Sequence, residues 1–103
     1  MNKYNAKKTK VDGIVFDSRR EAEVYRDLKL QKKTGFVKDF TRQAVFHLIR
    51  PPGGVKYIAD FLVTKPDGKQ EVWEVKGVET PVFKIKAKFF RKLFPNIPLI
   101  IVK

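Results

Sequence analysis

Three charged residues stand in apolar stretches near the middle of the chain. Asp60 lies within Tyr57-Ile58-Ala59-Asp60-Phe61, and Glu74 and Lys76 lie within Trp73-Glu74-Val75-Lys76-Gly77. In an extended strand, residues i and i+2 face the same side, so Glu74 and Lys76 point together while Trp73 and Val75 point to the other face. Pro66-Asp67-Gly68 between the two segments reads as a hairpin turn that lays them side by side and carries Asp60 towards the pair. Two carboxylates and an amine converging on a sheet surface suit a hard divalent cation, Mg²⁺ or Mn²⁺. Such ions take oxygen ligands, retain several waters and need only one or two protein carboxylates. They polarise a phosphodiester and lower the pKa of the water that attacks it, and a lysine alongside orients that water or offsets charge developing on the phosphate. The same spacing also describes an exposed strand face with cross-strand ion pairs, because D…ExK is short and common.

A fourth candidate lies upstream. Glu21, Tyr25 and Leu28 fall at i, i+4 and i+7 and share one helix face, so Glu21 tends inward while Glu23, Arg26 and Asp27 are solvated. An acid on the inward edge of a helix needs a partner, which a metal or a lysine would supply. The alternative is that Glu21 completes the capping box opened by Ser18.

These residues need elements to hold them. Gly13-Ile14-Val15-Phe16 is a short apolar stretch suited to an edge strand, and a helix is predicted over Ser18 to Lys33, with Gly35 as its stop. The period then changes to that of strands: Phe36 to Ile49 (clearest over Ala44 to Ile49), Val55 to Thr64, and Gln70 to Lys76, with Pro51-Pro52-Gly53-Gly54 as a loop. Pro81 suits the first turn of a second helix running to about Phe94. Pro95 to Pro98 ends it, and Leu99-Ile100-Ile101-Val102 reads as a final buried strand. The order αβββαβ belongs to the α/β (α+β) class, with one mixed sheet flanked by helices. At 103 residues the expectation is one domain over 1–103, with residues 1–12 as a flexible basic arm carrying Lys3, Lys7, Lys8 and Lys10.

Charge narrows the partner. Lys and Arg number 23 against 11 Asp and Glu, a net charge of +12 that a chain of this size keeps at the cost of self-repulsion. A polyanion is the usual reason, and nucleic acid fits better than an acidic membrane, for which neither a basic amphipathic helix nor a lipidation motif is evident. Hydrophobic residues at 43% are ample for a core, yet no apolar run is long enough to span a bilayer. The absence of cysteine excludes disulfides and thiolate zinc sites, and the lysines near the start are followed by no apolar stretch of a signal peptide. A cytoplasmic protein is expected.

The second helix adds a basic stripe, Lys84, Lys88 and Arg91 at i, i+4 and i+7, suited to phosphates or to a plain solvated face. Val82, Phe83, Ile85, Phe89, Phe90 and Leu93 form a broad apolar face, and Lys86 falls inside it. Lys86 either snorkels or reaches the carboxylate cluster. From Val82 to Lys103 inclusive there are six basic residues and no acid, marking a candidate nucleic-acid surface. His47, the only histidine, is expected to be structural and Trp73 to fill the core, while Phe36 and Tyr57 are the aromatics free to stack on bases.

Asp60, Glu74-Val75-Lys76 and the helical Glu21, within αβββαβ, resemble the PD-(D/E)XK nuclease superfamily. More narrowly, Lys3-Tyr4-Asn5-Ala6-Lys7, Asp12-Gly13-Ile14, Phe16-Asp17-Ser18, Glu21-Ala22, Tyr57 to Phe61 and Val75-Lys76-Gly77 resemble a family of small phage and prophage proteins. That family was long described only as a domain of unknown function and is grouped with these nucleases. The likeness covers nearly the whole chain; Ala59 stands where the superfamily has its proline. The resemblance implies a restriction-endonuclease-like fold, Asp60 and Glu74 as metal ligands with the Val75 backbone carbonyl, Lys76 as catalytic lysine and Glu21 completing the site. Gln43 falls where related nucleases sometimes carry a glutamine. The implied activity is Mg²⁺- or Mn²⁺-dependent hydrolysis of DNA, structure-selective like a Holliday junction resolvase, by a homodimer. Lys7, Lys8, Lys10, Lys84, Lys86, Lys88 and Arg91 are the expected DNA contacts. The alternative is a non-catalytic basic DNA- or RNA-binding protein.

Overall fold

The computed structural model describes residues 7–103, and the first part of the expected arm, with Lys3, lies outside them. The rest of that arm is shorter than expected. Thr9–Val11 (β1) pairs antiparallel with Ile14–Phe16 (β2), Val11 opposite Ile14. Asp12 and Gly13 form the two-residue turn, at φ 54° and 78°. Asp-Gly tolerates two successive left-handed residues and so closes a tight hairpin. Tyr25 Oη donates to Asp12 Oδ2 at 3.1 Å, and Lys29 bonds the same oxygen, tying the turn to the helix that follows.

That helix, Arg19–Thr34 (α1), is capped by Ser18, whose side chain accepts from the Glu21 N–H at 3.0 Å, and it stops at Gly35 in the left-handed region at φ 87°. Three strands follow, Asp39–Ile49 (β3), Val55–Thr64 (β4) and Gln70–Val75 (β5), then the helix Pro81–Leu93 (α2) and Leu99–Val102 (β6). The predicted αβββαβ order therefore holds, with the β1–β2 hairpin ahead of it. The four-stranded sheet has the order β3-β4-β5-β6, antiparallel except for β5 and β6, which α2 connects in parallel. The class is α+β. No helix among the described residues is long and apolar enough to cross a membrane.

The sheet separates two cores. Ala22, Val24, Tyr25 and Leu28 of α1 pack with Phe16, Val37, Phe61 and Val63; Phe83, Ala87 and Phe90 of α2 pack with Leu48, Tyr57, Ala59, Val72 and Leu99. Tyr57 and Ala59 of β4 thus serve one core, while Phe61 and Val63, of the same parity, serve the other. β3 makes the same change, with Phe40 on the α1 side and Ala44 and Phe46 on the α2 side. The changeover falls at Gln43 opposite Asp60, the one position missing from the register between Arg42↔Phe61 and Ala44↔Ala59. Gln43 sits at φ 53°. A left-handed residue inside a strand kinks it and raises its twist, so the hairpin turns at this point from one helix to the other.

Two expectations are corrected. Of the broad apolar face of α2, only Phe83, Ala87 and Phe90 are buried. Val82, Ile85, Phe89 and Leu93 stay exposed, because β3 and β4 cover only one flank of the helix. Val82, Ile85, Lys86 and Phe89 border an open apolar groove against Leu48, Ile49 and Val55. The last strand is an edge rather than a buried strand: Leu99 is buried, Ile100 is exposed, and Ile101 and Val102 are half-buried.

The kink at Gln43 yields a prediction. A left-handed conformation costs a non-glycine residue about 1–2 kcal/mol. Gln43→Gly should leave urea stability unchanged or raise it by up to about 1 kcal/mol, whereas a β-branched Gln43→Val should lower it by at least that much.

Candidate active site

Asp60 and Glu74 meet where β4 and β5 part. The antiparallel register between these strands runs from Thr64↔Gln70 to Phe61↔Trp73 and stops there, one position before Asp60 would face Glu74. Beyond it, side chains take over from the backbone ladder. The Val75 N–H donates to Asp60 Oδ2 at 2.8 Å, and the Asp60 N–H donates to Glu74 Oε1 at 3.4 Å. The Pro66-Asp67-Gly68 turn that makes this possible is closed by Gly68 N–H donating to Lys65 O at 2.9 Å and by Asp67 accepting from the Lys69 N–H.

Glu74 is only 3% exposed, and both of its oxygens are engaged. Oε1 accepts from the Tyr57 hydroxyl as well as from Asp60, and Oε2 lies 3.4 Å from Lys76 Nζ. Lys76 in turn rests over the Phe83 ring, 5.1 Å from its centre, so α2 holds the ammonium from above. Burial and the hydrogen bond to Glu74 push the Tyr57 phenol far above its ordinary range, which keeps it a donor. Tyr57 is therefore the buried support of Glu74 and not a base-stacking platform.

Asp60 opens into a cleft of about 540 Å³. Asp17 and Glu21 border it from the start of α1, Val75 and Lys76 from the end of β5, and Thr80 from the cap of α2. Glu21 is 6% exposed. Its carboxyl is raised above the ordinary range by burial and by Asp17, a shift opposed by Arg42 and the Asp17 N–H. The Asp60 carboxyl is pushed up to about 7, first by burial and then by Glu74, with Glu21 adding to the rise and the Val75 N–H and Lys76 opposing it. The Glu21 carboxyl thus stands in the cleft with Asp60, while its backbone N–H is the donor that Ser18 caps.

Among the described residues, no three His, Asp or Glu side chains come together as one metal-holding group. The donor set still fits a hard cation that needs one or two carboxylates and fills its other positions with water and substrate oxygens. Asp60 and Glu21 are both disfavoured as anions by burial and by neighbouring carboxylates, a deficit of positive charge that a cation would relieve.

A family comparison covers the whole chain, matching residues 1–103 to the family described as "Protein of unknown function (DUF1064)". The chain belongs to that family. Neither the curated proteins nor the solved structures yield a match. Membership in the DUF1064 family carries no activity with it, so function is argued from the site.

Glu21, Asp60, Val75 and Lys76 border this one cleft, with Glu74 directly behind it. The other expected contacts lie elsewhere. Lys7, Lys8 and Lys10 are exposed at the β1 end, and Lys84, Lys88 and Arg91 are exposed on the outer flank of α2, where Arg91 also donates to Leu99 O at 3.4 Å. Lys86 is half-buried and borders a second concavity, with Glu74 and Lys76. His47 is exposed on β3, Phe36 is exposed just before it, and Trp73 is half-buried with its indole N–H on Glu71 at 2.8 Å. Arg42, Asp17 and Lys56 were not singled out in the sequence, and Tyr57 was considered only for base stacking. Arg42, Lys56 and Tyr57 reach the site through the coiling of the hairpin, which leaves no local signature, whereas Asp17 lies four residues before Glu21 at the start of α1.

Two outcomes follow. Tyr57→Phe leaves the buried Glu74 short of a donor and should cost about 1–3 kcal/mol in urea unfolding. Asp60 keeps its proton to about 7 in the fold but loses it near 3.8 when unfolded, so the folded state binds more protons between these limits. Its contribution is complete below the lower limit and is lost as pH rises through the upper one. Asp60→Asn should flatten this decline and be more stable than the parent at pH 8 by at least about 1 kcal/mol.

Proposed function

We propose that this protein is a metal-dependent endonuclease that hydrolyses DNA phosphodiester bonds. The observation that carries the reading is the convergence of Asp60, Glu74 and Lys76 at the point where β4 and β5 part, with Glu21 facing Asp60 across one cleft. The charge of +12 around an acid-lined cleft and the resemblance to PD-(D/E)XK nucleases support it. Asp60, Glu74 and the Val75 carbonyl would hold Mg²⁺ or Mn²⁺. When bound, that ion supplies Lewis acidity towards the phosphodiester.

The protein's own groups divide the remaining work. Lys76, paired with Glu74 and held over Phe83, presents its ammonium at the cleft to orient the attacking water and offset charge on the phosphate. The Val75 N–H fixes one oxygen of Asp60, and the Tyr57 hydroxyl fixes Glu74, so both carboxylates are preorganised. Glu21 completes the acidic wall on the α1 side. The water oxygen bonds to phosphorus, one P–O ester bond breaks, and the departing oxygen takes up a proton. Exposed Lys7, Lys8, Lys10, Lys84, Lys88 and Arg91 would contact the backbone beyond the cleft. By analogy with junction resolvases, the substrate is branched DNA, the setting recombination of phage DNA, and the enzyme a homodimer that brings one site to each of two strands.

A second reading has its own observation. Glu74 is already satisfied by Tyr57 and Lys76, as a structural carboxylate would be, which suits a non-catalytic DNA- or RNA-binding protein.

A gel assay on a four-way junction and its matched linear duplex, with Mg²⁺, Mn²⁺ or EDTA, separates the two. Metal-dependent paired nicks in the junction are expected, reduced at least about 100-fold in Asp60→Asn, Glu74→Gln and Lys76→Met while DNA affinity is retained. Equal cutting of both substrates would discard the junction preference. Binding without cutting would leave the non-catalytic reading.

A further inference from the structure

Beside the Asp60 cleft lies a second concavity of about 300 Å³ whose charged lining is mainly cationic. Lys56, Lys76 and Lys86 border it, and Glu74 is its only acid. That acid is already compensated, since Tyr57 donates to one oxygen and Lys76 sits at the other. Lys56 and Lys86 form no ion pair among the described residues. The neighbouring cleft carries Asp17, Glu21 and Asp60 together with Arg20, Lys76 and Lys103, so its acids and bases are equal in number. Lys76 and Thr80 border both hollows and form the ridge between them.

The position of Lys86 is otherwise unexplained. It interrupts the apolar flank of α2 between Val82 and Phe89, and it is half-buried rather than extended into solvent. Desolvating an ammonium there is unfavourable unless an anion compensates it. Lys56 reaches the same hollow from β4, on the other wall. Lys56 itself is exposed, and a compact anion between the two ammonium groups would be held by both.

We propose that this second concavity binds a phosphate group of a nucleic-acid strand, the neighbour of the phosphate presented at Asp60. Lys56 and Lys86 are its cationic ligands, and the apolar wall of Ile58 and Val82 receives the adjoining sugar. The strand then crosses the Lys76 ridge, from the cleft that holds Asp60 to a hollow that is already positive. The inference rests on the nuclease reading for what occupies the first hollow. Phosphate recognition at the second needs no cutting.

The test is fluorescence anisotropy of the full chain with a labelled DNA duplex in EDTA over a salt series. Each neutralised phosphate contact contributes about 0.9 to the slope of log K against log salt. Lys56→Gln and Lys86→Gln should each lower the slope by about that amount, and Lys86→Arg should keep it. Lys33→Gln, about 18 Å along α1 from Glu21, should leave the slope unchanged. Slopes for Lys56→Gln and Lys86→Gln equal to that of Lys33→Gln would overturn the proposal, as would failure of the parent to bind DNA. Cleavage by the parent in Mg²⁺ is scored separately. Reduced slopes without cutting would keep the phosphate site and remove the nuclease, and cutting with unchanged slopes would do the reverse.

Discussion

A carboxylate buried inside a small sheet is tolerated only if donors converge on it, and in this protein that condition organises the centre of the fold. Glu74 is nearly inaccessible and is met by the Tyr57 hydroxyl, the Asp60 N–H and the Lys76 ammonium. These three donors come from β4 and from the end of β5, so the strands must stay adjacent up to Phe61 and Trp73 and separate immediately after. Leaving such a buried carboxylate short of one donor typically costs about 1–3 kcal/mol. The polar cluster is therefore part of the core as much as part of the site.

The second constraint is geometric. One sheet must cover two helices on opposite faces, and β3 and β4 are long enough to reach both. The left-handed Gln43 opposite Asp60 lets the hairpin turn between them, placing Phe61 and Val63 against α1 and Tyr57 and Ala59 against α2. Asp60 occupies the turning point. It is half-buried for that reason, belonging fully to neither core, and it lies within reach of Glu21 on one side and Glu74 on the other. Acids gathered in a chain of net charge +12 are a local exception to its overall electrostatics. The cleft mixes acids and bases, whereas the hollow beside it is bordered by three lysines and one compensated acid.

Much of the architecture was legible because it rests on local physics. Val55–Thr64 and Leu99–Val102 have the predicted bounds, β5 and α2 end one residue early, α1 is shifted by one residue at each end, and β3 begins three residues later than expected. Ser18, Gly35, Thr80 and Pro81 act through their immediate neighbours. Ile14–Phe16 was expected as an edge strand, but its partner Thr9–Val11 was missed because a strand of three residues carries almost no periodic signal, although Asp12-Gly13 is the turn pair that two-residue hairpins favour. The extent of burial on α2 was overestimated for a different reason. Apolar periodicity reports which flank avoids water, not how much of it another element covers, and Ile85 and Phe89 remain exposed beside an open groove.

The sequence by itself determined the order of elements, the pairing of β4 with β5 through Pro66-Asp67-Gly68, and hence the approach of Asp60 to Glu74 and Lys76, because turn chemistry and strand alternation are properties of adjacent residues. It also determined the inward position of Glu21, through helical period alone. Only the tertiary structure decided that Tyr57 would support Glu74, that Phe83 would hold Lys76, and that Lys56 and Lys86 would share a hollow while Lys84, Lys88 and Arg91 faced away from it. Those contacts join residues on different elements through the coiling of a long hairpin and the seating of a helix upon it. Such relations depend on how surfaces pack in three dimensions, and no spacing along the chain encodes them.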